Sequence, residues 1–204
     1  MARQVFAFVM RIFFEYQTYY LSGYTAEDVR NLNEAARMPK VDNFTLKIVS
    51  TNKEADALEA DGLEFRSYSR DFDTRGALDK GATAFCIFVG RDLASIGWTA
   101  TTQHAMDSLD QPPFKVDFSN NEACTGRAWT NPKYRRMGLH LYGNLKRRQF
   151  LVDKGITIVR DAITTENFAS PKTNPNYSPR IYAEGRYLRV LRWKSWKERP
   201  LAQG

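Results

Sequence analysis

The stretch from Glu122 to Thr164 does most to restrict what this chain can fold into. EACTGRAWT (Glu122 to Thr130) is rich in strand-compatible residues, and Pro132 then removes a backbone donor, so a central strand does not continue through it. Arg135 and Arg136 follow, and then Gly138, which allows a backbone approach that a Cβ would obstruct. From Gly138 onward, Leu141, Tyr142, Leu145 and Val152 fall near one stripe at helical spacing, which predicts a helix over 138–153. Lys146, Arg147, Arg148 and Lys154 sit toward its far end, where cations suit the helix dipole, and Gly155 is a natural stop. ITIVRDAIT (Ile156 to Thr164) reads as another buried strand. Strand, basic glycine loop and helix start bring N–H groups and positive charge to one place, where an anion can sit. Composition alone describes an ordinary connection with solvated arginines equally well. Neither a Gly-x-x-x-x-Gly-Lys-Ser/Thr loop nor a Gly-x-Gly-x-x-Gly turn after a strand competes for the role.

Charge divides at the same place. Before Arg127 the chain has 13 Lys/Arg against 18 Asp/Glu, and from Arg127 onward 17 against 5. A basic half that begins beside the loop suits an anionic ligand, and it also suits nucleic acid. The 204 residues are enough for a single α/β domain that buries its own core without metal or disulfide staples. Cys86 and Cys124 lie in apolar strand-like runs, which points to reduced core thiols, an intracellular, cytoplasmic setting and chemistry that does not need them. Two histidines and two cysteines, widely scattered, predict no metal site.

VFAFVMRIFF (Val5 to Phe14) is too short for a membrane span, which takes about twenty apolar residues. Its spacing, continued to Tyr16, predicts instead an amphipathic helix over 1–20 docked on the domain, with a partner subunit or a membrane surface as the alternative, and a homodimer stays open. TAEDVRNLNEAARM (Thr25 to Met38) predicts a second helix capped by Thr25 and ended by Pro39. These helices form an N-terminal segment, 1–40, packed on a domain of 41–204. FTLKIVS (Phe44 to Ser50) alternates as a strand, and NKEADALEADG (Asn52 to Gly62) predicts a short helix with Asn52 as cap and a glycine stop. GATAFCIFVGRDLASIGWTATT (Gly81 to Thr102) is the clearest hairpin, with its turn at Gly90-Arg91-Asp92. Loops are expected around 64–80 and 103–121. Pro171, Pro175 and Pro179 make the stretch after 168 irregular, and YLRVLRWKSW (Tyr187 to Trp196) predicts one closing strand. Helices, a hairpin and a strand–helix–strand unit predict a mixed α/β sheet covered by helices.

That order resembles the GNAT superfamily of acyl-CoA N-acyltransferases. The family's signature is a strand followed by Gln/Arg-x-x-Gly-x-Gly/Ala opening a helix, and Arg135-Arg136-Met137-Gly138-Leu139-His140 matches its first and fourth positions. Asn131-Pro132-Lys133-Tyr134 resembles the usual Pro-x-Tyr lead-in, and the hairpin resembles the second and third strands, with Gly97 at a commonly glycine position. Strand 156–164, ending toward Asn167, is similar to the fifth strand and its asparagine. The resemblance covers about residues 81–168 and departs at His140, where the family carries a small residue.

The resemblance implies a mostly antiparallel central sheet with helices on both faces, splayed at the acyl-CoA site. It further implies that acetyl-CoA or another acyl-CoA is the co-substrate, with no metal. Loop 135–140 would hold the pyrophosphate. Backbone along 127–130, including Trp129 and Thr130, would bond the pantetheine arm, and Asn167 would lie nearby. An amine would attack the thioester directly, after a carboxylate had taken its proton. Glu122 is the first candidate for that base and Glu166 the second. The family's usual acid, a tyrosine, has only Tyr177 and Tyr182 as candidates here, because FASPKTNPNYSPRIY is broken by prolines. Two other readings stand beside this one. The first is a nucleic-acid-binding module using Tyr187, Trp193 and Trp196 among Arg189, Arg192, Lys194 and Lys197. The second is an acyl-CoA binder without catalysis.

Overall fold

Ala84 to Phe88 are buried at five successive positions, as a strand covered on both faces requires. In the computed structural model, which describes residues 14–65, 72–167 and 180–201, this run is β3 (Thr83–Val89). It turns at Gly90 and Arg91 into β4 (Asp92–Ala100). β2 (Phe44–Val49) pairs antiparallel with the outer side of β3, and β5 (Glu122–Thr130) pairs antiparallel with β4. These four strands lie in the larger of two compact units, residues 24–111 with 116–160.

The helices of this unit are α1 (Ala26–Arg30), α2 (Asn52–Ala60), α3 (Thr74–Asp79), α4 (Gln103–Ser108) and α5 (Leu139–Asp153). α5 packs through Leu139 and Tyr142 onto Ile87, Ala94 and Tyr134, with Val41, Phe44, Leu46, Val89 and Met137 around them. Its far end buries Leu151 against Ala123 and Val159, and Phe150 meets Phe85 edge to face at 5.2 Å. Both thiols are free and buried, and burial pushes the Cys86 thiol far above its usual range.

The smaller unit comprises described residues 14–23, 112–115, 161–167 and 180–201. In it residues 14–23 of β1 (Phe14–Thr25) pair antiparallel with β7 (Arg180–Val190), which pairs antiparallel with β8 (Trp193–Pro200). β6 (Ile158–Thr164) runs through the boundary between the units. The fold is mixed α/β, mostly antiparallel, with eight strands and five helices among the described residues.

Several local expectations are corrected. Residues 14–20 form a strand, not part of a helix; Phe, Tyr and Thr favour a pleated surface, and ladder bonds to β7 decide the matter. The remainder of that expected helix lies outside the described residues. The helix expected from Thr25 to Met38 ends at Arg30, and a 3-10 turn over Ala35–Arg37 follows. The cap of α2 is Thr51 rather than Asn52, in a reciprocal box with Glu54. The expected loops contain α3 and α4. The single closing strand is two strands, because Leu191 takes a left-handed φ of 57° and turns the chain. No helix among the described residues is long and apolar enough to cross a membrane.

Candidate functional site

The connection from β5 to α5 is tied down before it reaches its glycine. Asn131 donates its N–H to the Ala94 carbonyl at 2.9 Å, and its side chain accepts from the Lys133 N–H at 3.1 Å. Pro132–Tyr134 is one 3-10 turn that buries Tyr134. The Tyr134 hydroxyl donates to Asp92 at 2.7 Å and Lys133 meets the same carboxylate at 2.9 Å. These bonds, Lys133 first and Tyr134 second, hold the Asp92 carboxyl below its usual range. The Asn-Pro-Lys-Tyr lead-in thereby pins the loop to the β3–β4 turn.

Beyond that anchor the backbone folds back sharply. Arg136 has φ 65° and Gly138 φ 82°, two left-handed positions on either side of Met137, whose carbonyl accepts from the Lys40 N–H at 2.8 Å. Arg135 and Arg136 are exposed, with Arg135 Nε donating to the Thr130 carbonyl at 3.4 Å. α1 to α4 are capped by the side chains of Thr25, Thr51, Asp73 and Thr102, whereas α5 opens on Gly138 with no side-chain cap. First-turn N–H groups lack intrahelical partners, so two guanidinium groups and an uncapped helix start share one loop. A Cβ on Gly138 would meet Pro39 Cα at 3.4 Å and the Met38 carbonyl at 3.5 Å. The glycine therefore provides a backbone conformation, and its side-chain direction faces the 38–40 segment.

The strand that feeds the loop is itself broken. Ile96 pairs with Trp129 and Trp98 with Gly126, so Arg127 and Ala128 together oppose Gly97, and Arg127 takes φ 46°. This is a β-bulge, which bends a strand and re-aims its backbone. Ser95 Oγ donates to the Trp129 carbonyl at 3.0 Å and lies 3.2 Å from the Thr130 hydroxyl, fixing the strand beyond the bulge. Arg147 of α5 reaches beneath it. Its Nη1 donates to the carbonyls of Trp98 at 3.3 Å and Gly126 at 3.2 Å, and its Nη2 donates to Asn144 Oδ1. A Cβ on Gly97 would lie 2.3 Å from Arg147 Nη1, so the guanidinium occupies the space that this glycine leaves.

Sequence reasoning placed Arg147 and Arg148 among cations that suit the far end of the helix dipole and gave them no place in the core. Both are buried, Arg147 at 3% exposure and Arg148 at 2%, the latter stacked 3.6 Å from the Tyr24 ring. Their spacing with Asn144 and Leu151, on the face directed at the sheet, was the available signal.

No protein-family model matches the chain, and no curated protein does. Solved structures do match. A GCN5-related N-acetyltransferase-like protein from Streptococcus suis aligns with a TM-score of 0.52 at 14% identity, covering 92% of this chain and 67% of that one. A tandem GNAT protein from the clavulanic acid biosynthesis pathway gives 0.51 at 14% identity, over 98% and 59%. A GCN5-related N-acetyltransferase from Kribbella flavida gives 0.50 at 14%, over 91% and 63%. The fold is GNAT-like. The chain spans only about six-tenths of the length of several of these structures.

The larger unit of this GNAT-like fold brings together Trp129, Thr130, Arg135, Arg136, Met137, Gly138, Leu139 and His140. Leu139 is buried core, Met137 is half-buried, and His140 is exposed with Nε2 3.1 Å from Asn144 Nδ2. Glu122 is in the same unit but is differently engaged. Arg160 grips both of its oxygens, Nε to Oε2 at 2.8 Å and Nη2 to Oε1 at 2.5 Å, and the Asp117 N–H adds a third bond at 2.9 Å. Burial acts to raise its pKa, but the Arg160 and Asp117 bonds outweigh that and hold the carboxyl below its usual value. Tyr182, half-buried on β7, and Asn167, in a turn over Thr165–Asn167, belong to the smaller unit, as does the exposed Glu166. Tyr177 lies outside the described residues. Trp196 of the basic–aromatic stretch is committed internally: its ring packs on Gly185 and lies 5.8 Å from Tyr19, and its Nε1 donates to Glu198.

Proposed function

We propose that this chain is an N-acyltransferase that takes an acyl group, acetyl or longer, from acyl-CoA and passes it to an amine. The observation that carries the reading is the junction of β5 and α5 in a GNAT-like fold. There a bulged strand leads into a turn with two left-handed residues, two exposed arginines and an uncapped helix start. Arg135, Arg136 and the first-turn N–H groups would hold the pyrophosphate, as charge-assisted donors suit a dianion. Backbone groups along Arg127–Thr130 would meet the pantetheine arm.

In the reaction the amine nitrogen attacks the thioester carbonyl, the C–S bond breaks, the nitrogen loses a proton and the departing thiolate gains one. Glu122, with both oxygens engaged by Arg160, is suited to holding β5 rather than to accepting that proton. Glu166 remains the candidate base, and Tyr182 and Tyr177 the candidate acids. The commitment of Trp196 and the 3.0 Å pairing of Arg189 with Glu15 weaken the nucleic-acid reading. Turnover against an amine panel tests the proposal. Acyl-CoA-dependent thiol release with at least one amine is expected. Binding without turnover on any amine would leave the silent-binder reading, and absence of acyl-CoA binding would defeat both.

A further inference from the structure

α5 carries a polar row where a core helix should be apolar. His140, Asn144 and Arg147 stand four and then three residues apart, and so lie on one helix face. His140 stands in the first turn, at the loop, and Arg147 beneath the bulge. The donors can be assigned along the row. Arginine only donates, so Asn144 presents Oδ1 to Arg147 and keeps Nδ2 for His140, whose Nε2 is then the acceptor. At the far end the two bonds from Arg147 go to the carbonyls of Trp98 and Gly126, the pair that closes the ladder next to the bulge. A bulge disrupts the local ladder, and buried carbonyls need donors from elsewhere. Gly97, with no Cβ, leaves room for the guanidinium.

We infer that Arg147 is a positioning residue for acyl transfer: it clamps the Gly126–Ala128 bulge in the one geometry that presents backbone groups to the acyl-CoA arm, and the Asn144–His140 row ties that clamp to the phosphate end of α5. The inference rests on the acyltransferase reading for its chemistry but not for its geometry. A hydrophobic residue could fill the space, and a lysine could supply the charge. Only the guanidinium's planar set of donors reaches two carbonyls and Asn144 at once.

The test is Arg147→Lys, measured in two ways on the full chain. In the protein without ligand, amide exchange at residues 126–129 should quicken while exchange in the second half of α5 stays as in the parent. In turnover, kcat should fall by about tenfold or more, the equivalent of one lost charge-assisted bond, with KM for acetyl-CoA within about threefold. Unchanged exchange overturns the clamp. Equal loss of kcat and affinity, with faster exchange across the whole unit, overturns a positioning role in favour of a merely structural one. Should Arg147→Lys not fold, Asn144→Ala keeps the guanidinium but removes its anchor, and a smaller effect of the same sign is expected. A parent protein that binds no acetyl-CoA overturns the acyltransferase reading by itself, and the exchange measurement still decides the clamp.

Discussion

Gly138→Ala separates backbone conformation from side-chain clearance in the loop. The native φ of 82° is left-handed, which costs an L-residue about 1–2 kcal/mol. The new Cβ would meet Pro39 Cα at 3.4 Å, an ordinary contact, so little steric penalty is added. Alanine also restricts the unfolded chain, which offsets about 0.4–1 kcal/mol. The net loss is therefore about 1 kcal/mol, a fall of about 2–4 °C in Tm for a chain of this size, measured by scanning calorimetry. Acetyl-CoA should bind about tenfold more weakly to the same variant, because relaxing the turn rotates the first N–H groups of α5 away from the phosphates. Gly138→Asn should lose less of both, since asparagine visits the left-handed region more readily. Gly138→Val should lose more stability than alanine, as its branches press on the 38–39 backbone. If alanine retains the parental Tm and affinity, or if asparagine is no better than alanine, the left-handed turn is not what the glycine provides.

Arg136 sits in the left-handed region without being glycine, so Arg136→Gly should raise stability slightly, by about 0.5–1 kcal/mol, while weakening acyl-CoA binding; a variant that is less stable and binds equally well would contradict this. Glu122→Gln should destabilise by about 1–3 kcal/mol, because Arg160 loses its ionic partner in a mostly buried site. The Glu122 carboxyl is depressed on folding, so its contribution is full above the unfolded carboxylate value of about 4.3 and is lost as pH falls through the lower folded value. The stability gap between parent and variant should thus narrow as pH falls below about 4.3 toward the lower folded value, while the pH dependence of turnover keeps its shape; a shifted kcat profile would restore Glu122 as the base.

What could be read from the sequence was what local pattern dictates. The β3–β4 hairpin showed in two apolar runs around Gly90, and α5 in its stripe of Leu141, Tyr142, Leu145 and Val152, of which Tyr142 and Leu145 are buried. Gly138 stood out as well, but as clearance for a ligand; its left-handed φ of 82° and its neighbours at 38–40 came only with the structure. The left-handed residues at Arg127, Arg136 and Leu191 were not legible, since tertiary contacts impose them on residues with no such preference. β1 was misread because Val5–Tyr16 fits a helical stripe and only pairing with β7 selects the strand. The Glu122–Arg160 pair joins residues 38 positions apart, and burial of Arg147 depends on the space at Gly97, 50 residues earlier. The first leaves no local trace, and the second leaves only the helical spacing of Arg147 with Asn144 and Leu151.

Calorimetric titration of the parent and of Arg136→Ala with acetyl-CoA and with acetyl-pantetheine, which lacks the pyrophosphate, tests the central claim most directly. The parent should bind acetyl-CoA much more tightly than acetyl-pantetheine, and Arg136→Ala should lose about tenfold or more toward acetyl-CoA, with the loss shrinking in high salt. Toward acetyl-pantetheine the variant should lose almost nothing. Equal losses toward both ligands, or none toward either, would mean that this loop does not hold the pyrophosphate.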